Sequence, residues 1–226
     1  MAMAGPWGIR MITAMPDPAA LHLVHWLSPA FPIGGFAYSH GLEQVIADGG
    51  VTDAVTLEHW LSDMLRHGTG WQDSVLMAQA LRRGADLDML DAFASALQPC
   101  AERLQESREQ GAAFARTVGA ITDRALAPRC LPITVAEAAA PLGLPVADVI
   151  AAYLQGFTTN LVTIAIRHVP LGQSAGHGVL SRLLPLFPDI GARAAESALD
   201  DLGSSCFAAE LAAFTHETKE TRLFRT

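Results

Sequence analysis

Cysteine is scarce in this sequence. The 226 residues include three cysteines, Cys100, Cys130 and Cys206, which lie far apart and are odd in number. This pattern excludes both a disulfide framework and a CxxC metal knuckle. Unpaired thiols are typical of a reducing compartment, so we expect a cytoplasmic protein.

Positive charge is also in short supply. The chain has 15 basic and 23 acidic residues and a net charge of −8. A broad electropositive surface, on which the binding of phosphate backbones depends, is therefore excluded. We expect no nucleic acid partner.

Long uninterrupted apolar runs are missing. The most apolar stretch, residues 146–169, is interrupted by polar residues such as Asp148 and Gln155, whereas a membrane-spanning helix needs about 20 predominantly apolar residues. We interpret the stretch as a buried core helix and expect no membrane partner. Residues 1–16 lack a basic region followed by a continuous apolar run, so we interpret them as a loose leader and not as a signal peptide.

Helical signals fill most of the remaining chain. Asp17 followed by Pro18 is a good helix start, and apolar residues then recur at spacings of three and four. Alternating strand patterns and fixed repeats are absent from the sequence. These features predict an all-α single domain of about ten helices without a β-sheet over residues 17–213, followed by a tail over residues 214–226. We expect one helix over residues 73–83 and two helices between the long core helix and the tail.

Catalytic and metal-binding patterns are missing as well. His22 and His25 could face one ion but lack a third ligand, so we interpret them as packing residues. The segment at His216 lacks the second histidine of HExxH, and the glycine-dense residues 170–178 lack the GK[ST] ending of a phosphate-binding loop. No nucleophile elbow occurs. We predict no catalytic residue, no metal ligand and no bound cofactor.

Residues 28–43, SPAFPIGGFAYSHGLE, which we call the opening segment, interrupt the helical pattern with two prolines, two adjacent glycines and three aromatic residues. The glycines allow a tight non-helical path. We expect this path to present Phe36 and Tyr38 to another surface. For Phe31 and Phe36, a place in the protein's own core is equally compatible with the sequence.

Two charged segments complete the pattern. Residues 106–111, ESREQG, mix charges along a predicted helix, which is typical of a solvated face. The last twelve residues, THETKETRLFRT, contain no Gly or Pro, and three basic against two acidic side chains give them a net charge of +1. A basic end that carries Leu223 and Phe224 has the residue types of an interface anchor.

Four segments in this order, LSPAFPIGGFAYSHGLE, ESREQG, PLGQSAG and HETKETRLFRT, closely resemble the UreF family of urease accessory proteins. The resemblance extends from about Leu21 to Thr226. It implies an all-α protein without catalysis of its own, a homodimer that binds UreD and recruits the GTPase UreG. These partners would act together on the urease apoprotein during nickel insertion, and the partner proteins would handle nickel and GTP.

The resemblance and the interface motifs together indicate partner-binding residues at Gly34, Gly35, Phe36, Tyr38, Glu43, Gln173, His216, Arg222, Leu223, Phe224 and Arg225. In this interpretation Arg222 docks, in the assembled complex, on the loop of Gly34, Gly35 and Tyr38, and together they form the surface that UreG recognises. Deletion of Thr215 to Thr226 would leave the fold intact but abolish assembly with UreD, so the tail would be dispensable for folding.

Two alternatives remain open at this point. One is a GTPase activator that inserts Arg222 or Arg225 into UreG as an arginine finger. The other is a small all-α enzyme in which Glu43 or a histidine acts as acid or base, although no sequence motif supports it.

Overall fold

The computed structural model describes residues 17–226, and the predicted leader lies outside this range. The described residues form eleven α-helices, three short 3₁₀-helices and no β-strand. The α-helices are α1 Pro18–Trp26, α2 Leu42–Ala47, α3 Ala54–His67, α4 Thr69–Ala80, α5 Leu87–Ala96, α6 Ala101–Thr122, α7 Leu131–Ala139, α8 Val146–His168, α9 Gln173–Leu183, α10 Leu186–Glu196 and α11 Phe207–His216. The 3₁₀-helices are Gly35–Ala37, Ala140–Leu142 and Leu199–Asp201. The prediction of an all-α fold is confirmed.

Side-chain caps begin several helices where the sequence indicates them. The N–H of Ala19 donates to Asp17 Oδ1 at 2.9 Å, ahead of Pro18 in the first turn of α1. At the start of α3, Asp53 and Thr56 form a reciprocal capping box in which each side chain accepts from the other's main chain. Such caps satisfy main-chain N–H groups that the helix itself leaves unpaired.

Helix α8 lies at the centre of the fold. It packs most extensively against α10 and also contacts α9, α4 and α2. Its buried stripe includes Ile150, Leu154 and Leu161, at helical spacing. By length and composition alone α8 could cross a membrane, but 50 % of its most apolar window is buried inside the protein. This burial fits the predicted core helix.

Helix α4 differs from its predicted bounds of 73–83. It begins at Thr69 because the Gly68 carbonyl accepts from the N–H groups of Trp71 and Gln72, each at 3.1 Å. The next glycine, Gly70, brings the first turn so close to α3 that a Cβ would lie 2.7 Å from Leu65 Cα. Helical periodicity does not report this close turn between Leu65 and Gly70, so the sequence places the start of α4 too late.

Three helices, and not two, follow the long core helix. The third, α11, ends at His216, so the predicted tail boundary at residue 214 falls inside a helix. Cys206 lies at the N-cap position of α11 but makes no side-chain capping hydrogen bond, and α11 packs against α2. Only the residues after His216 leave the helical path, and they turn back toward the loop that precedes α2.

Candidate functional site

The end of the chain is held by the loop that follows Gly35–Ala37. The N–H of Arg225 donates to the Ala37 carbonyl at 2.9 Å, and the Ser39 N–H donates to the Thr226 main-chain oxygen at 2.9 Å. We call this arrangement the tail clasp. It consists of Arg222 to Thr226 and the surrounding side chains of Tyr38, Ser39, Glu43, Glu102, Glu106, Glu109 and His216.

Glu43, in the first turn of α2, anchors the main chain of the tail. Its carboxylate accepts from the N–H of Leu223 at 3.1 and 3.2 Å and from that of Phe224 at 3.0 Å. Desolvation opposes the charge of Glu43, but the hydrogen bonds from Phe224, Leu223 and His216 outweigh it and hold the pKa below its ordinary value. The tail is therefore bound to an ionised carboxylate.

His216, the last residue of α11, lies between two carboxylates. Its Nδ1 is 2.8 Å from Glu102 Oε2 and its Nε2 is 3.2 Å from Glu43 Oε2. Glu102 also forms an ion pair with Arg222. The His216 side chain is completely buried. This group connects α2, α6 and α11 beneath the tail.

Tyr38 forms the opposite end of the clasp. Its hydroxyl donates to Glu109 Oε2, which also pairs with Arg225 Nη1 at 2.9 Å. Arg225 in turn donates to the Tyr38 hydroxyl at 3.3 Å. Burial and the bond to Glu109 raise the pKa of Tyr38. In the isolated chain Arg222 pairs with Glu102 and not with Tyr38, and the docking of Arg222 on the Tyr38 loop in the assembled complex stays a prediction.

Glu106 extends the clasp into the protein interior. It accepts from Thr226 Oγ1 at 2.7 Å and from Gln110 Nε2 at 3.1 Å, and it pairs with Arg103. Burial disfavours the charge of Glu106, but the positive charge of Arg103 overcomes this cost and lowers the pKa to about 2. His40, also buried, lies 3.5 Å from this carboxylate.

The ESREQG segment is therefore not a solvated face. Glu106, Ser107, Gln110 and Gly111 are buried, which corrects the prediction. A Cβ at Gly111 would lie 1.9 Å from the Arg129 carbonyl, so glycine alone permits this contact with the chain before α7.

A second buried carboxylate lies beside this network. Asp73 on α4 accepts from the Tyr153 hydroxyl at 2.6 Å. Desolvation raises the pKa of Asp73 to about 6, and for His40 desolvation and the charge of Arg103 lower the pKa to about 4. The interior behind the tail clasp thus contains several ionisable groups whose charges depend on one another.

Comparison with known proteins identifies the family. The sequence model of UreF matches residues 51–184. A protein of Cereibacter sphaeroides (strain ATCC 17029 / ATH 2.4.9) named urease accessory protein UreF is 54 % identical over 208 residues, which cover 92 % of this chain and 99 % of the relative. A protein of Paracoccus denitrificans (strain Pd 1222) with the same name is 47 % identical over 216 residues, which cover 96 % of this chain and 100 % of the relative. One in Jannaschia sp. (strain CCS1) is 43 % identical over 207 residues, covering 91 % and 94 %.

This chain belongs to the UreF family. UreF proteins are urease accessory proteins, which are chaperones and not enzymes. The prediction of a non-enzymatic protein is confirmed by this membership, and the alternative of a small all-α enzyme is wrong.

Most of the predicted partner-binding residues of this UreF-family chain converge on the tail clasp. Tyr38, Glu43, His216 and Phe224 are buried there, so the expectation that the Tyr38 ring is presented to another surface is wrong. Tyr38 and Glu43 form their hydrogen bonds with other residues of this chain and not with a partner protein. Phe224 packs in the core and meets His168 edge-on, with ring centroids 4.9 Å apart.

Other predicted partner-binding residues are exposed to solvent. Phe36 is 68 % exposed and Leu223 is 69 % exposed. Phe31 is buried in the core, so of the two phenylalanines of the opening segment one is buried and the other, Phe36, is exposed. Gly34 and Gly41 adopt positive φ values around this bend. Gln173 begins α9 and is exposed, outside the clasp.

The expectation that the tail is dispensable for folding is contradicted by this packing. Phe224 belongs to the hydrophobic core and His216 has no exposed surface. Ser39, Glu102 and Glu109 also bind the tail, although they are not among the residues predicted from the sequence. The sequence did contain a signal for the two glutamates. Glu102, Glu106 and Glu109 recur at helical spacing, so they place three carboxylates on one face of a helix, and the tail is basic.

Helix α11 carries a second notable surface. Phe207, Leu211 and Phe214 recur at helical spacing on its outer side, and all three are exposed. We call these residues the α11 outer face. Large apolar side chains that are exposed next to one another are typical of interaction surfaces, whereas single exposed apolar residues are ordinary. Among residues 17–226, no group of three or more His, Cys, Asp or Glu side chains is arranged to hold a metal ion.

Proposed function

We propose that this UreF-family chain is a scaffold that binds UreD and recruits the GTPase UreG during nickel insertion into the urease apoprotein. The observation that carries the proposal is the apolar surface left uncovered beside the tail clasp. A scaffold needs such surfaces, because apolar burial drives most protein association. The relatives, which are named urease accessory protein UreF, support the urease accessory role on which the proposal rests.

The α11 outer face is the surface that we assign to UreD. Its three large apolar residues give a hydrophobic centre of the kind that anchors stable interfaces. The tail clasp contacts the same helix through His216, and it fixes the position of α11 relative to α2 and α6. Binding to α11 would thus meet a rigid surface, which lowers the entropic cost of association.

We assign UreG to the depression between the opening segment and α6. This depression has a volume of about 510 Å³ and is lined by residues that include Phe36, Tyr38, Arg116 and Arg225. It combines an exposed aromatic ring with two arginines, residue types enriched at binding hot spots. Both tail arginines already pair with glutamates, so an arginine-finger role would first have to break an ion pair. The scaffold role has no such cost.

Further parts of the proposal follow the family resemblance. The chain would act as a homodimer in the cytoplasm, and nickel and GTP would be bound by its partners. Sedimentation of the isolated protein tests the dimer. Calorimetric titration with nickel and with GTP tests the last point, and submicromolar binding of either ligand by the isolated chain would contradict it.

The assignment of UreD is tested by Leu211→Asp in co-purification with UreD. Leu211 is 66 % exposed, so the substitution should leave helicity and thermal stability unchanged while it abolishes the complex. The matched control is Ile121→Asp, which places the same charge at an exposed apolar position on α6. Equal retention of UreD by both variants would refute the assignment.

The UreG assignment needs a separate measurement on the preformed complex with UreD. Phe36→Ser removes an exposed ring and should weaken UreG binding about 10-fold or more, as expected for a hot-spot aromatic residue. Phe93→Ser, at an exposed position on α5, is the control. An unchanged UreG affinity in the Phe36 variant would contradict the proposal.

A further inference from the structure

A basic groove lies where the end of α3 meets α10 and the Gly203–Ser205 segment. It has a volume of about 320 Å³, and its lining includes Arg66, Arg193 and Trp71. None of these residues belongs to the tail clasp or to the α11 outer face. The chain carries a net charge of −8, so a groove with two guanidinium groups is a local exception to a surface that on average repels anions.

Arg193 is held in place by an aromatic ring. Its guanidinium carbon lies 3.6 Å from the centroid of the Trp71 ring. The ring is fixed in turn, since Trp71 Nε1 donates to the Asp201 carbonyl at 3.0 Å. Stacking occupies the face of the guanidinium and leaves the donors in its plane free for an acceptor.

The positive charges of the groove have no carboxylate partner within the described residues. None of the ion pairs over residues 17–226 involves Arg66 or Arg193, and residues 1–16 contain no Asp or Glu. The Arg66 side chain donates one hydrogen bond, from Nε to Ser62 Oγ at 3.4 Å. Asp201, which also lines the groove, uses its carboxylate to accept from the Ala198 N–H at 2.8 Å.

We propose that this groove binds an acidic segment of a protein partner, with Arg66 and Arg193 each engaging a carboxylate. The groove is open, and a small free anion there would remain largely hydrated and screened. Two carboxylates on one segment avoid this weakness, because the second contact forms at a high effective concentration. The fixed geometry of Arg193 on Trp71 further reduces the entropy lost on binding.

The test is fluorescence anisotropy of a labelled hexaglutamate peptide at low salt, with hexaglutamine as the neutral control peptide. Hexaglutamate should bind to the full chain, and Arg66→Gln with Arg193→Gln should weaken it about 10-fold to 100-fold, as expected for the loss of two charge-assisted hydrogen bonds. The matched control is Arg83→Gln with Arg108→Gln. It removes the same charge from exposed positions outside the groove and should change binding less than about 3-fold by long-range charge alone.

Three outcomes would overturn the proposal. Hexaglutamate could fail to bind, both double variants could weaken binding equally, or inorganic phosphate could displace the peptide at an equal molar concentration. The last outcome would indicate a small-anion site. If the groove double variant does not fold, Arg193→Lys retains the charge but loses the planar fork, and an unchanged affinity in that variant would also contradict the proposed contact.

Discussion

The Phe224 N–H donates to Glu43 Oε2 at 3.0 Å and joins two residues that are 181 positions apart in the sequence. The same carboxylate accepts from Leu223, while the Phe224 ring packs in the core. One side chain in α2 therefore sets the path of the end of the chain. The tail in this structure is an integral part of the domain.

Replacement of Glu43 should release the tail. In Glu43→Gln the amide retains one acceptor oxygen but places a donor toward the N–H groups of Leu223 and Phe224. We expect a loss of about 1 to 3 kcal/mol in the free energy of unfolding, as for unsatisfied buried hydrogen bonds. Urea unfolding measures the loss, and amide hydrogen exchange should show faster exchange at both residues.

The control for this prediction is Glu220→Gln. Glu220 is an exposed tail residue, and the same chemical change there should alter stability by less than about 0.5 kcal/mol. Equal effects of the two substitutions would show that Glu43 has no special part in holding the tail.

Tyr38 should be coupled energetically to Arg225 and not to Arg222. A double-mutant cycle with Tyr38→Phe and Arg225→Ala should show an interaction energy of about 0.5 kcal/mol or more, because both side chains contact Glu109. The parallel cycle with Arg222→Ala should be additive, since Arg222 pairs with Glu102. Urea unfolding of the single and double variants supplies both cycles, and the reverse ranking would contradict the observed pairing.

Acidification should reveal opposing effects of His40 and Asp73. The lowered pKa of His40, about 4, contributes stability that is present above pH 6.5 and is lost as the pH falls toward 4. The raised pKa of Asp73, about 6, contributes stability that is present below pH 3.8 and is lost as the pH rises through 6. Between pH 6.5 and 4 the two contributions oppose each other.

The substitution Asp73→Asn removes the contribution of Asp73 to the pH dependence of stability and leaves that of His40. On acidification from pH 6.5 to 4, the variant should lose about 3 kcal/mol more stability than the parent chain, from a difference of about two pKa units. Urea unfolding at several pH values measures the difference. Parallel pH profiles for the two proteins would show that Asp73 does not titrate as proposed.

Gly111 should tolerate no side chain. In Gly111→Ala the new Cβ would lie 1.9 Å from the Arg129 carbonyl and 2.9 Å from the Leu131 nitrogen. The main chain before α7 would have to move, which should cost about 1 to 3 kcal/mol, the range of overpacked interiors. Gly172→Ala is the control, because nothing lies within 4 Å of a Cβ there. Urea unfolding that ranks the two variants equally would contradict the close contact.

The helical fold could be predicted from the sequence because its signals are local. The Asp17 and Asp53 caps and the recurring apolar spacings act within one or two helical turns. The same local character explains the errors at α4 and α11. The start of α4 at Thr69 lies in a close turn between Leu65 and Gly70, and the spacing of apolar residues does not report that turn.

The sequence also determined that the opening segment and the tail are unusual, since each was identified by its residue types, whereas ESREQG was identified by the family resemblance alone. Only the tertiary structure decided how they meet. Whether Arg222 or Arg225 reaches Tyr38, and whether Glu106 faces water or the interior, depends on how α2, α6 and α11 pack. These contacts join residues more than 100 positions apart, and their geometry is set by the core that brings the helices together, for which helical periodicity supplies no register.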